Sequence, residues 1–412
     1  MDINILKKYA HYIAFKGINV KKGQRVIIRT APEQLDFVEM LIEQCYLAGA
    51  SKVSLEWRFD NALRLDIKYQ NIDTLSALDN WEVERWKEKS EMLPANIYLD
   101  SDDPDALDGV DMEKWAQAQQ KRYSVTKKYR DMMENKYQWC VVAVPGLKWA
   151  RKVFPGVSDE EAVEKLWEAV ISCSRADVDP MKQWAEHNAD VHARCFKLNS
   201  LKLRRLKYTS KKTGTDFSVG LMPQMRFMGG SELLGDGVTE FNANIPSEEV
   251  FTTPMKGDAE GIVYATRPLC YRGVMIDGFY LRFEKGRVVE YHADKNEATL
   301  KKMLEMDDGA SMLGECAFVP YSSPIRKSGI LFYNTLFDEN ASCHLALGDG
   351  YSSCLEDFES YTPEQARELG VNESMIHEDF MIGSDDLEII GITADGREVR
   401  IFTDGEWDEG IR

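Results

Sequence analysis

The chain lacks the sequence signals of several large classes of protein. No window approaches the roughly 18 to 20 apolar residues that a membrane-spanning helix requires. The eight cysteines are scattered and form no CxxC pair, so no disulfide framework is predicted and a reducing compartment fits better. Neither GxGxxG nor GxxxxGK(S/T) occurs in a strand-to-helix turn, which argues against a bound nucleotide. Histidine is also rare, with six residues in the chain.

Basic residues are outnumbered by acidic residues, 51 to 69, and the formal net charge is −18. Nucleic-acid backbones and anionic membranes would repel such a chain, so neither is predicted as a partner. The first residues, MDINILKKYAHYIAFKG, show an amphipathic helix pattern without the apolar core of a secretory signal. Together these features predict a cytoplasmic protein.

The length of 412 residues predicts two domains, and the first half has an alternating α/β pattern. The β-branched run GQRVIIRT is followed by a helical pattern that ends at Gly49, and SKVSLEWRFD reads as the next strand. Such a strand–helix–strand unit is typical of a parallel crossover. Ser158 with Glu161 predicts the start of a later helix. We therefore predict an open parallel-sheet α/β domain over residues 1–195.

The second half changes in character from about Leu201. Short strands are separated by EKGR, ADG and TDG, which are typical of hairpin turns. One helical pattern, near residues 296–306, interrupts the strands. These features predict a C-terminal mixed or antiparallel α+β domain over residues 196–412, and this domain carries the candidate metal-binding residues.

Side chains of the types that bind hard divalent metals lie on predicted loops and strand ends of the second half. Each is weak evidence alone, because a single exposed glutamate or histidine is more often structural. Carboxylates combined with two imidazoles fit a site for two ions of the zinc, cobalt or manganese class. Cysteines beside two of these positions would point to the opposite side of an extended strand. The candidates are Glu248 or Glu249, Glu315, His344, Tyr351, His377 and Asp379.

Several motifs make a family resemblance specific. The segments NIPSEEVFTTP, GECAFVPY, NTLFDENASCHLALGDGY and HEDFMIGS occur in that order, followed by FTDGEW. In this order they resemble the M29 family of metallo-aminopeptidases. The N-terminal LKKYAHYIAFKGINVKKGQRVIIRTAPE and the later WARKVFPGVSDEEAVEKLWEAV resemble the same family, so the likeness covers most of the chain.

The resemblance implies a ligand set and an activity. It selects Glu249 over Glu248, a choice that spacing alone leaves open. The implied reaction is removal of N-terminal residues from short peptides by a water that two divalent metal ions activate. Glu315 is then the expected proton shuttle, with a role as bridging ligand alone as the alternative. Tyr351 is the expected stabiliser of the oxyanion or a further ligand. The implied metal ligands are Glu249, Glu315, His344, Tyr351, His377 and Asp379.

Two other functions remain open at this point. Related enzymes of this fold are ring-cleaving dioxygenases with one iron, for which His344, His377 and Asp379 would suffice. Retention of Glu249 and Glu315 disfavours that function, because a mononuclear site does not need them. A catalytically silent metal- or peptide-binding relative is the other alternative.

The resemblance also implies a homodimer whose N-terminal domain covers the site and limits substrates to short peptides. The chain departs from the family between Tyr351 and His377, where bulky residues replace a small glycine-rich segment. We expect Leu355, Glu356, Phe358 and Tyr361 to reshape the pocket wall there.

Overall fold

The structure is a computed structural model that describes residues 1–101 and 103–411. Within these residues, no helix has the length and apolarity needed to cross a bilayer. The helices, in chain order, are α1 Ile3–Tyr12, α2 Leu35–Ala48, α3 Asp60–Tyr69, α4 Ile72–Ser76, α5 Asn80–Met92, α6 Met112–Met133, α7 Leu147–Val153, α8 Asp159–Cys173, α9 Pro180–Ser200, α10 Glu297–Leu304, α11 Pro324–Ser328, α12 Thr335–Asp338 and α13 Pro363–Leu369.

The strands are short in the middle of the chain and longer at both ends. In chain order they are β1 Arg25–Thr30, β2 Lys52–Trp57, β3 Ala95–Asp100, β4 Trp139–Ala143, β5 Leu203–Thr209, β6 Asp216–Gly220, β7 Met228–Gly229, β8 Glu232–Leu233, β9 Glu240–Phe241, β10 Asn244–Ile245, β11 Val250–Thr252, β12 Ala259–Tyr264, β13 Leu269–Tyr271, β14 Val274–Glu284, β15 Arg287–Lys295, β16 Leu313–Phe318, β17 His344–Gly348, β18 His377–Met381, β19 Glu388–Thr393, β20 Glu398–Thr403 and β21 Glu406–Trp407.

Two compact units divide the chain. Unit 1 consists of Met1–Ala185 and Ser231–Pro246, and unit 2 consists of Glu186–Gly230 and the chain from Ser247 onward. A short segment from the second half of the sequence therefore belongs to the first unit. The domain boundary at residue 195 remains a prediction.

Unit 1 is built on the parallel sheet that the sequence predicts. Its strand order is β10-β4-β3-β1-β2, and every neighbouring pair is parallel. Helix α2 ends where Gly49 adopts a left-handed φ of 112°, which closes the crossover between β1 and β2. The hydroxyl of Ser158 accepts the Glu161 N–H and caps α8, as its sequence position predicts.

Unit 2 contains two antiparallel sheets. One has nine strands and includes the predicted hairpins β14–β15, β19–β20 and β20–β21. The other has five strands in the order β18-β17-β16-β11-β7, and we call it the site sheet. Alternation along each strand divides the side chains of the site sheet between two faces. Cys316, Leu345 and Phe380 lie on one face in the main apolar core, where Phe380 packs against Phe279 of β14.

Candidate metal centre

The opposite face of the site sheet brings the predicted site residues together. Glu315 on β16 is paired with Ala346 on β17, and Ala346 is paired with Asp379 on β18. His344 is two residues from Ala346, and His377 is two residues from Asp379, so both histidines lie on the same face as this row. The methyl group of Ala346 occupies little space between the two carboxylates, which can therefore approach each other.

Glu249 joins this face from the segment before β11. Phe251 on β11 is paired with Ala317 on β16, and Ala317 is in turn paired with His344. A position two residues from Phe251 lies on the same face, so Glu249 points towards His344. Its side chain, and not the side chain of Glu248, lies in the cluster.

Two glycines permit the close approach of the strands and loops around the cluster. Gly348 has a φ of +104°, and a Cβ atom there would lie 2.0 Å from the carbonyl oxygen of Ile376. A Cβ atom on Gly314 would lie 2.0 Å from the carbonyl oxygen of Asp349. Both positions therefore require glycine. They bring the turn after β17 close to β16 and to the start of β18.

The potential ligand atoms form two groups that share one glutamate. Glu249, Glu315 and His344 make up the first group, and Glu315, His377 and Asp379 the second, with the atoms of each group within 4.8 Å of one another. Nε2 of His344 lies 3.2 Å from Oε2 of Glu249. Nε2 of His377 lies 3.0 Å from Oε2 of Glu315 and 3.4 Å from Oδ1 of Asp379. The cluster has the donors for two adjacent cations.

Both histidines have the same orientation. Nδ1 of His377 lies 2.7 Å from the carbonyl oxygen of Asp349, and Nδ1 of His344 lies 3.3 Å from that of Ser342. A carbonyl oxygen only accepts, so each Nδ1 is the donor. In a neutral ring the lone pair is then on Nε2, which faces the carboxylates. This is the tautomer in which histidine binds a metal through Nε2.

The electrostatics of the cluster favour positive charge. Burial raises the pKa of Glu315 to about 7, and the nearby charges of Glu249 and Asp379 add to the increase. Burial alone would lower the pKa of His344, but the hydrogen bond and charge of Glu249 raise it to about 10. Burial would also lower the pKa of His377, but the hydrogen bonds and charges of Asp379 and Glu315 raise it to about 12. The carboxylates outnumber the imidazoles and attract cations.

The donor chemistry fits divalent metal ions. Oδ1 of Asp379 is buried, and at 3.4 Å from Nε2 of His377 it has no well-formed hydrogen bond from the described residues. A buried carboxylate oxygen without a donor is costly unless a cation binds it. Carboxylate oxygens with imidazole nitrogens suit ions of the zinc or manganese class. The thiol of Cys316 lies on the core face and takes no part, as the sequence predicts.

The hydroxyl of Tyr351 contacts the cluster at His377. The hydroxyl oxygen lies 3.0 Å from Nε2 of His377, and 41% of the residue is exposed. Tyr351 therefore lies at the open edge of the cluster. A Gly-Asp-Gly turn separates Tyr351 from His344 in the chain, and the Tyr351 hydroxyl lies at the other histidine, His377.

Thr253 holds the backbone of Tyr351 in place. The N–H of Tyr351 donates to Oγ1 of Thr253 at 2.8 Å, and the threonine hydroxyl donates to the carbonyl of Tyr351 at 3.1 Å. Thr253 is fully buried. It belongs to the EEVFTTP motif, but sequence reasoning assigned it no role, because its partner lies 98 residues away.

Thr253→Val is expected to lower kcat about tenfold, through roughly 1–3 kcal/mol of lost or unpaired hydrogen bonds that position Tyr351. Thr253→Ser keeps the hydroxyl and is the matched control, which should remain near wild-type activity. Steady-state kinetics and thermal unfolding of both variants check this. Equal kinetics for the valine and serine variants would contradict the positioning role.

Two neighbouring residues of the LFDENASCH segment, Glu339 and Asn340, were not predicted from the sequence to support the site. Oδ1 of Asn340 accepts the N–H of Glu248 at 2.6 Å, and Nδ2 of Asn340 donates to the carbonyl of Leu336 at 3.0 Å. Asn340 therefore fixes the backbone beside Glu249. Burial and the charges of the nearby carboxylates, Asp379 first, raise the pKa of Glu339 well above its usual range. The Glu339 carboxyl therefore lies within electrostatic reach of Asp379 and Glu249.

The bulky segment after Tyr351 packs largely inward. Leu355 is fully buried in the core of unit 2, and Phe358 and Tyr361 pack against that core. The guanidinium of Arg226 lies 5.8 Å from the ring centroid of Phe358. These contacts anchor the segment. Its effect on the pocket wall remains a prediction.

Comparisons with known proteins agree along the whole chain. The family model described as thermophilic metalloprotease (M29) matches residues 3–407. Aminopeptidase AmpS of Bacillus subtilis is 39% identical over 404 residues, and aminopeptidase T of Thermus thermophilus is 37% identical over 404 residues, with 98% of both chains covered in each case. The solved structure of wild-type AmpT from Thermus thermophilus superposes with a TM-score of 0.89 at 35% identity, covering 98% of this chain and 99% of the other.

The fold, the site and these relatives define the class of the protein, which is a metal-dependent aminopeptidase, a hydrolase of the exopeptidase type. The chain belongs to the M29 family of metallopeptidases. The family resemblance seen in the sequence is thereby confirmed, as is the mixed α/β fold class. The dioxygenase and the silent binding protein find no support in the comparisons.

Proposed function

We propose that the chain uses two divalent ions of the zinc, cobalt or manganese class to release the N-terminal residue of short peptides. The observation that carries this proposal is the membership of Glu315 in both ligand groups. Glu249, Glu315 and His344 would hold one ion, and Glu315, His377 and Asp379 the other. When bound, such a pair of ions supplies an activated water and polarises the scissile carbonyl.

Glu315 and Tyr351 are the proposed catalytic residues. Glu315 accepts the proton of the attacking water and returns it to the leaving amine, because its carboxylate belongs to both ligand groups. Metal ligation alone is the alternative role for Glu315. Tyr351 donates its hydroxyl hydrogen bond to the oxyanion that develops on the scissile carbonyl. Its position at the open edge, 3.0 Å from Nε2 of His377, supports that role. Tyr351 as a further metal ligand is the alternative role for the same hydroxyl.

The surplus of carboxylates would favour substrates with a free N-terminus. Glu339 lies close enough to Asp379 and Glu249 for its charge to interact with theirs. A substrate α-ammonium is attracted to such a cluster, whereas an acetylated N-terminus carries no charge and is not. Cleavage would therefore be limited to the first peptide bond.

We further propose a cytoplasmic homodimer. The eight cysteines are all free, which supports a reducing compartment. The net charge of −18 suits a protein that avoids nucleic acids and anionic membranes. Analytical ultracentrifugation of the purified chain tests the dimer, and a monomer at micromolar concentration would refute it.

Metal removal tests the proposed function. Chelation should abolish hydrolysis of aminoacyl-7-amido-4-methylcoumarins, and added Zn²⁺, Co²⁺ or Mn²⁺ should restore it. Restoration should saturate at two ions per chain, because the two ligand groups share Glu315. Fluorescence measures release, and elemental analysis of the restored enzyme measures the ions bound.

Substrates with an acetylated amino group are the matched control and should not be cleaved. Full restoration by one ion per chain would reject the two-ion proposal. Loss of activity that no metal restores would reject the proposed dependence on these ions, and oxygen uptake with dihydroxypyridines in the presence of Fe²⁺ would then test the dioxygenase.

A further inference from the structure

Unit 1 contains a cavity that the reaction does not use. It has a volume of about 520 Å³, and its wall includes Arg29 on β1, Glu56 and Trp57 on β2, and side chains of helix α5. The cavity lies near the carboxyl ends of β1 and β2, because Arg29 is the last residue but one of β1 and Trp57 is the last residue of β2. Open parallel sheets bind their ligands outside the carboxyl ends of the strands. Its size is within the range of small-molecule sites.

The cavity carries an excess of positive charge in a strongly acidic chain. Four cations line it, against two carboxylates. Arg85 and Lys89 both lie 2.5 Å from Oε1 of Glu56, and Arg122 lies 2.7 Å from Oε1 of Glu82. Both carboxylates are therefore already paired with cations of the wall.

Among the described residues of the cavity wall, Arg29 is the one cation that is not paired with Glu56 or Glu82. It is paired in register with Glu56 across the β1–β2 ladder, but Arg85 and Lys89 already hold that carboxylate. Among residues 1–101 and 103–411, the Arg29 side chain has neither an ion-pair partner nor a hydrogen-bond partner. Its guanidinium presents a planar fork of donors, which suits the two oxygens of a carboxylate.

Tryptophan rings supply the apolar part of the wall. Trp57 and Trp81 are 53% and 61% exposed, and neither ring stacks on another aromatic ring in the described chain. Trp86 also lines the cavity, with Nζ of Lys89 5.3 Å from its ring centroid. Exposed indole rings beside cations offer a surface for a flat apolar group.

We propose that this cavity binds a small monoanion that carries a flat aromatic group, with the chemistry of an aromatic carboxylate. Arg29 takes the carboxylate, and the rings of Trp57 and Trp81 take the aromatic group. Glu56 and Glu82 keep the positive charge of the wall modest, so a polyphosphate is a poorer match. The absence of a glycine-rich phosphate loop from the sequence agrees with this choice.

Binding of 2-naphthoate to the full-length protein tests the proposal, with ligand-observed NMR as the measurement. The uncharged isostere 2-naphthamide and the ringless anion acetate should each bind at least tenfold more weakly. Arg29→Leu should weaken 2-naphthoate binding at least tenfold, and Trp81→Leu severalfold. Arg400→Leu, which removes an exposed arginine of unit 2, is the matched control and should leave binding unchanged.

The metal centre also attracts carboxylates, so the titration is repeated after chelation. The affinity that depends on Arg29 should be the same with and without metal. Circular dichroism of Arg29→Leu verifies its fold, and Arg29→Lys should recover part of the affinity. No binding of 2-naphthoate, or binding that Arg29→Leu leaves intact, would overturn the proposal. Equal binding of acetate and 2-naphthoate would overturn the aromatic part.

Discussion

Replacement of Glu315 by glutamine is expected to lower kcat for aminoacyl-coumarin substrates by on the order of 1,000-fold or more. Two losses combine in this variant. A neutral amide cannot take the proton of the attacking water, and it removes a negative charge from both ligand groups at once. We therefore expect bound metal to fall as well, as measured by elemental analysis after dialysis.

Glu305→Gln is the matched control, because Glu305 is an exposed glutamate just after α10. It should keep both the activity and the metal content of the wild type. Glu315 is only 4% exposed, and the replacement keeps its size, so thermal unfolding should show a folded protein. A Glu315→Gln variant with normal kcat would remove this residue from both proposed roles.

Tyr351→Phe is expected to reduce kcat by on the order of 100- to 1,000-fold, the usual cost of losing one oxyanion donor. The variant lacks only the hydroxyl, which lies 3.0 Å from Nε2 of His377. The aromatic ring still packs edge-on against Phe251, whose ring centroid is 5.7 Å away. Metal content and KM should therefore change little, and the loss should appear in kcat.

Tyr69→Phe removes a hydroxyl from a residue that is 73% exposed, and it should be kinetically silent. The two roles of Tyr351 lead to different results. A fall in metal affinity together with kcat would favour direct ligation over oxyanion stabilisation. A variant with wild-type kcat and wild-type metal content would exclude both roles.

Local signals in the sequence were sufficient to predict the first strand–helix–strand crossover of unit 1. The run GQRVIIRT forms β1, and the helix that follows ends at Gly49 as expected. The crossover to β2 is parallel. These features depend on residues close together in the chain, on turn chemistry and on apolar runs, so a single sequence reveals them.

The site was predictable only in part. His377 and Asp379 are two residues apart in the sequence, and two-residue periodicity places them on one face of a strand. Spacing did not separate Glu249 from Glu248, because either is available to a metal when the path of the preceding loop is unknown. The family resemblance selected Glu249, and the structure places its carboxylate 3.2 Å from Nε2 of His344.

The supporting residues were not predictable. Thr253 contacts Tyr351 across 98 residues, and Asn340 contacts Glu248 across 92. Such hydrogen bonds have no local pattern, because they depend on which loops meet after the sheets have formed. The assignment of Ser231–Pro246 to unit 1 has the same origin, since β10 pairs with β4.

The sequence by itself determined the alternation of strands and helices, the class of metal ligand and, through its motifs, the family. Tertiary structure alone decided the register of β16, β17 and β18, which places Glu315, Ala346 and Asp379 in one row. A shift of one residue in any of these strands would move the candidate ligands of that strand to the core face. Burial of Cys316 and Leu345 on that core face opposes such a shift, and this packing keeps the candidate ligands of the three strands on one face.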